Sequence, residues 1–114
     1  MTPTVREPTP SGAVTRSTME PAFPREGAKD VLDNPRVRMW DYTFDAKKPT
    51  GKHMHERDSL EVFVTGGTLR FQTDDGQEET KTFSMKDARF VPRGHVDSEE
   101  VVAGSPRVIT IELK

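Results

Sequence analysis

Three histidines occur in the chain, His53, His55 and His95, and two of them stand at i and i+2. In an extended strand successive side chains alternate, so both imidazoles fall on one face with Met54 on the other. That is one of the few ways a single strand can offer two neutral nitrogen donors to one divalent metal ion. An exposed or hydrogen-bonded pair is the ordinary alternative for the same spacing. Carboxylates that could complete such a site are Asp97 and Glu61; Glu99 shares a face with Asp97, and Glu100 does not. His95 lies two residues before Asp97 and so shares its face as well. There is no cysteine, which removes thiolate ligands and disulfides from consideration.

The elements that must position these residues read as short strands. Apolar runs are predicted at 36–44, 51–55, 60–65, 68–72, 79–83, 88–92, 96–102 and 108–113. Turn residues separate them: Lys48-Pro49, Gly66-Gly67, Asp74-Asp75-Gly76, Arg93-Gly94 and Gly104-Ser105-Pro106. The Asp-Gly step after Phe71 is a hairpin signal. Ile109, Ile111 and Leu113 alternate with Thr110 and Glu112, and Trp40, Tyr42 and Phe44 alternate with Asp41 and Thr43. The second pattern predicts a core or a dimer interface. No segment sustains a period of 3.6, so the expectation is an all-β sandwich or jelly-roll barrel. Residues 1–28 hold five of the nine prolines and no apolar period. They read as an irregular or partner-contacting arm, leaving residues 29–114 as the barrel domain.

Composition narrows the function. With 32% hydrophobic and 32% charged residues, the core must be thin and a second domain is not expected. A net charge of -2, with Lys and Arg scattered, lacks the basic stripe that nucleic acid requires. No apolar run approaches the roughly 20 residues that span a bilayer, and the start lacks the apolar centre of a secretory signal. A cytoplasmic protein without nucleic-acid or membrane partners is the expectation.

The stretch Thr50-Gly51-Lys52-His53-Met54-His55, followed by Glu61-Val62-Phe63-Val64-Thr65-Gly66-Gly67, resembles the first motif of the cupins: a Gly, then His-x-His, a Glu and a closing Gly. Pro92-Arg93-Gly94-His95-Val96-Asp97 resembles the second motif, Pro-x-Gly-x-x-His. The resemblance runs from about Val31 to Lys114 and implies a small cupin, an all-β jelly-roll barrel. The departures are specific. Gly51 stands closer to His53 than the motif's glycine does. Ser59 and Leu60 occupy the place of the motif's Glu, and Glu61 follows one residue late. Asp97 holds the second motif's His position, Val101 that of its Asn, and Lys86 that of its opening Gly.

Three arrangements follow. Asp97 joins His53 and His55 in a two-histidine, one-carboxylate triad, a set that suits ferrous iron and also takes manganese, nickel or zinc. Alternatively His95 swings in to give three histidines, or neither residue reaches. Glu61 is a candidate fourth ligand or acid/base group, and Arg70 and Arg89 are candidate carboxylate anchors. The resemblance implies metal-dependent dioxygenase-, isomerase- or lyase-type chemistry on a small oxygenated acid or diketone. The alternatives are a non-catalytic cupin that binds or senses a small ligand, and a metal that only ties the barrel together. A homodimer is expected, from the thin core, the aromatic strand, the arm and in part the resemblance.

Overall fold

The computed structural model describes residues 19–114, and all its regular elements are strands. They are β1 (Glu20–Pro21), β2 (Ala28–Asp33), β3 (Val37–Thr43), β4 (His53–Met54), β5 (Ser59–Thr73), β6 (Glu78–Phe83), β7 (Ala88–Val91) and β8 (Val96–Leu113). The two long strands organise the rest. β5 and β8 run antiparallel along nearly their whole length, from Ser59 opposite Glu112 to Thr73 opposite Asp97. One half of this ribbon is flanked by β3 and β2 on one side and β7 on the other. The other half is flanked by β4 and β1 on one side and β6 on the other. The sheet therefore curls on itself as two facing halves, a jelly-roll barrel.

Sequence expectation and structure part company at the bend. Gly66-Gly67 and Gly104-Ser105-Pro106 read as turns between separate strands, yet β5 and β8 pass through both without interruption. Register shifts near Thr65 and Gly67 absorb the change of direction. Glycine is needed there for closeness: a Cβ on Gly67 would sit 2.8 Å from the Ala103 carbonyl oxygen and against the Pro106 ring. The Asp74-Asp75-Gly76 hairpin joins β5 to β6 as expected, closed by hydrogen bonds from the Thr73 amide to Gln77 O and from the Gly76 amide to Thr73 O.

The core lies between the halves. Trp40, Tyr42, Phe44, Phe63 and Val108 from one half meet Leu69 and Phe71 from the other. Phe63 stacks on Phe83 with centroids 4.1 Å apart. The aromatic strand is thus core within its own chain. Part of the expected arm is core as well: Ala22 and Phe23 are buried, β1 pairs with β4, and Phe23 stacks on Trp40 at 5.3 Å. Residues 1–18 of that arm lie outside the described residues.

The position of the second motif's opening glycine retains a glycine-like backbone. Lys86 has a φ of 77°, in a tight turn closed by the Asp87 amide on Ser84 O and tied to β5 through Lys86 N–H to Phe63 O. An L-residue in that region is strained by about 1–2 kcal/mol, partly offset by the greater freedom of an unfolded glycine. Lys86→Gly should therefore raise the thermal midpoint by a few degrees, a net gain of about 1 kcal/mol. A lower midpoint in a calorimetric scan would contradict this.

Candidate metal centre

The two histidines of β4 and its exit are fixed by different backbone contacts. His53 lies opposite Asp97 in the β4–β8 pairing. Its Nδ1 is 2.9 Å from the Gly51 carbonyl, where Gly51 takes a φ of 78° that folds the chain back toward the ring. That carbonyl can only accept, so Nδ1 carries a proton and Nε2 is the nitrogen turned inward. His55 is held by its backbone: its amide donates to His95 O, and its carbonyl accepts from the Gly94 amide.

Asp97 meets both rings. Its Oδ1 is 3.1 Å from His53 Nε2 and 3.9 Å from His55 Nε2, and the three residues are all nearly fully buried. One donor atom from each of His53, His55 and Asp97 falls within a set spanning no more than 4.8 Å. First-row metals hold such ligands at about 2.0–2.2 Å, which places neighbouring donor atoms roughly 3–4 Å apart. The polar atoms are also left unsatisfied by the protein. Both ring nitrogens of His55 and Asp97 Oδ1 are buried without a hydrogen-bond partner. An unpaired buried polar group costs about 1–3 kcal/mol, and a cation lying between His55 Nε2 and Asp97 Oδ1, which are 3.9 Å apart, would satisfy both.

Electrostatics agree. Burial drives the His55 pKa down to about 3, which keeps the ring neutral and able to donate. Burial also pulls His53 down, but Asp97 and Glu99 outweigh it and the net shift is upward, so a metal would displace a proton from its Nε2. Burial alone would raise Asp97; His53 and Arg89 more than reverse this and hold it below the usual carboxylate range. Glu99 is pushed up to about 7 by burial and by the charge of Asp97.

His95 is not part of the three-residue group. Its side chain is 34% exposed and its Nε2 lies 3.1 Å from Asp97 Oδ2, the oxygen turned away from His53. Glu61 is buried but engaged elsewhere, accepting from Arg89 Nε at 2.7 Å. It comes inside because Ser59, Glu61 and Phe63 share the inner face and Leu60 points out. Glu99 also enters the barrel, 3.5 Å from His53 Nε2, and accepts from the Thr50 hydroxyl at 3.2 Å. Arg89 spans the interior, stacked on Phe71 and within 3.5 Å of Glu99 and 3.8 Å of Asp97. Arg70 stays outside, paired with Glu100.

One contributor was not visible in the sequence. Arg25, in the proline-rich segment, reaches the site between the rings of Phe23 and Tyr42, at 4.5 and 4.8 Å. Its guanidinium lies 3.5 Å from His53 Nε2 and 3.9 Å from Glu99. No local spacing could have signalled this, since the contact depends on β1 docking beside β4.

Comparison with known proteins supports the fold. No protein-family model matches the sequence, and no curated protein matches it. Solved structures do. A cupin domain from Bordetella pertussis Tohama I is 26% identical with a TM-score of 0.68, over 82% of this chain and 99% of that one. KdgF from a Halomonas species is 22% identical with a TM-score of 0.58, over 75% and 76%. A cupin-2 domain containing protein from Shewanella frigidimarina is 12% identical with a TM-score of 0.58, over 93% and 95%. No helix among the described residues is long and apolar enough to cross a membrane. With the motif residues gathered inside a curled eight-stranded sheet and cupin structures matching along most of its length, the chain has the fold of a small cupin.

Proposed function

We propose that the protein binds one divalent metal ion through His53, His55 and Asp97 and uses it to act on a small oxygenated organic molecule. The observation that carries this reading is that His55 Nε2 and Asp97 Oδ1, both without a hydrogen-bond partner, lie 3.9 Å apart, with His53 Nε2 3.1 Å from the same oxygen. The surrounding charge favours a cation too. Asp97 and Glu61 match Arg25 and Arg89 in charge, and Glu99, with its pKa pushed up to about 7, adds negative charge as the pH rises through neutrality. Iron, manganese, nickel and zinc all suit two imidazoles and one carboxylate.

When bound, the metal would supply Lewis acidity at positions the protein leaves free. The chain's own groups set the conditions. Gly51 O fixes the His53 tautomer, burial shields the His55 ring, and Arg89 holds Glu61 and Glu99 in place. A cleft of about 510 Å³ is lined by Asp97 together with Phe71, Thr73, Lys81, Arg89 and His95. That is the size of a small-molecule site, and its polar lining suits an oxygenated ligand.

The decisive measurement is metal content by elemental analysis of untagged protein, beside His53→Ala. The reading expects close to one ion per chain in the wild type and none in the variant. A wild type that stays metal-free after incubation with each of the four ions would overturn it.

A further inference from the structure

Of the two arginines at the centre, Arg25 is the one without a close carboxylate. Its Nε donates to Ala22 O at 2.6 Å, and its guanidinium is held between the Phe23 and Tyr42 rings. The terminal nitrogens are left for the centre. Nη2 lies 3.5 Å from His53 Nε2, and Nη1 lies 3.9 Å from Glu99 Oε1. Neither distance is that of a good hydrogen bond. Arg89 differs, because its Nε donates to Glu61 at 2.7 Å. Glu99 is engaged elsewhere as well: Oε1 accepts from the Thr50 hydroxyl at 3.2 Å, and Oε2 lies 3.5 Å from Arg89 Nη2.

Two cations would therefore share His53. An ion held at Nε2 stands about 2.0–2.1 Å from that nitrogen, and the guanidinium already lies 3.5 Å from it. Like charges at such separations repel, and the two rings and the Ala22 bond hold Arg25 where it is. An anion reconciles them, since one oxygen can accept from the guanidinium while its neighbour faces the ion. The charge count asks for the same. Asp97 and Glu61 already offset Arg25 and Arg89, so a divalent ion leaves the centre positive by two, or by one with Glu99 ionised. Arg25 is also within reach from outside. With Tyr42 and Thr50 it lines a cavity of about 560 Å³ that shares no wall residue with the cleft beside Asp97.

We propose that Arg25 anchors the carboxylate of a small organic acid and so makes this centre select acids over their neutral counterparts. The proposal rests on the metal-binding reading above, from which it takes the position of the ion. The acid enters by the Arg25 cavity and pairs its carboxylate with Nη1 and Nη2. A hydroxyl or oxo group on the adjacent carbon is then left beside His53. A guanidinium suits this part better than an ammonium, because its terminal N–H groups match the two carboxylate oxygens. Arg70 cannot take it, being outside the barrel and paired with Glu100 at 2.7 Å. The anchor comes from the proline-rich segment, so the docking of β1 beside β4 sets ligand choice as well as filling the core.

Isothermal titration calorimetry on the full chain tests the proposal, with lactate and pyruvate as probes and lactamide and pyruvamide as their neutral counterparts. The protein is first incubated with manganese, and metal content is measured on every sample. The wild type should bind the acids at least about tenfold more tightly than the amides, the worth of one charge-assisted hydrogen bond. Arg25→Met, which keeps an unbranched stem between the rings, should bind acids and amides alike while holding no less metal. Arg70→Met removes the same charge outside the barrel and should keep the preference. Far-ultraviolet circular dichroism checks folding; if Arg25→Met does not fold, Arg25→Gln, which can still donate a hydrogen bond, takes its place. A wild type that binds neither acid, or binds acids and amides alike, overturns the proposal. So does a folded Arg25 variant that keeps the preference, or one that loses it only by losing its metal. A wild type that takes up no metal sinks the metal-binding reading by itself. In that case an acid preference that disappears with Arg25 still supports the anchor, and the lack of one overturns it.

Discussion

His55→Ala is expected to weaken divalent-metal affinity by at least about 100-fold, a larger loss than the 10–100-fold typical for removing an outer-shell partner. The reason is that neither ring nitrogen of His55 has a hydrogen-bond partner, so its polar atoms have little to do in the fold except donate to an ion. The variant should also separate ligand loss from unfolding. Without metal, losing an unsatisfied and neutral ring offsets much of the cavity cost, so apo His55→Ala should lie close to the apo wild type in stability. With metal, the wild type should gain about 4 kcal/mol at a thousandfold excess over the dissociation constant, and the variant almost nothing. His95→Ala is the comparison: its ring is one-third exposed and its hydrogen bond goes to the outer oxygen of Asp97, so at most about a tenfold loss is expected. Competition titration against a chelating dye measures all three proteins. Equal losses in His55→Ala and His95→Ala would show that the metal shell is not the one the geometry assembles.

Replacing Arg89 should have the largest effect on the fold itself. This guanidinium stands among Glu61, Glu99 and Asp97, at 2.7, 3.5 and 3.8 Å, inside a barrel with few other cations. Removing one partner of a buried ion pair costs about 3–5 kcal/mol, because the remaining charges lose their compensation. Arg89 keeps some exposure, so about 3 kcal/mol is the expected loss for Arg89→Met, which preserves much of the packing on Phe71. Added metal should recover part of that loss, since a divalent ion would replace some of the missing positive charge. Urea unfolding with and without metal reads both effects. A metal-free variant within 1 kcal/mol of the wild type would show that the carboxylates shed their charge instead of suffering from it.

Much of this protein was determined by the sequence alone, for identifiable reasons. Strand alternation put His53 and His55 on one face, and that holds for any strand containing His-x-His. The Asp-Gly hairpin and the all-β pattern follow from turn chemistry and the absence of a helical period. Strand continuity could not be read in the same way, because Gly66-Gly67 and Pro106 look like chain breaks but are a sharp bend where two strands pass too close for a side chain. Parity also could not choose between His95 and Asp97, which share it. The choice was made by β4 pairing with β8, which sets Asp97 opposite His53 and leaves His95 at the turn, bonded through its carbonyl to His55. Nor could alternation say which face of β8 turns inward. Local burial would have favoured Ile109, Ile111 and Leu113, yet the interior holds Thr110 and Glu112, beside the Glu61–Arg89 pair and Trp40. Register across five strands decided that, because the site's charged groups must face one another within the barrel and only one orientation of the ribbon allows it.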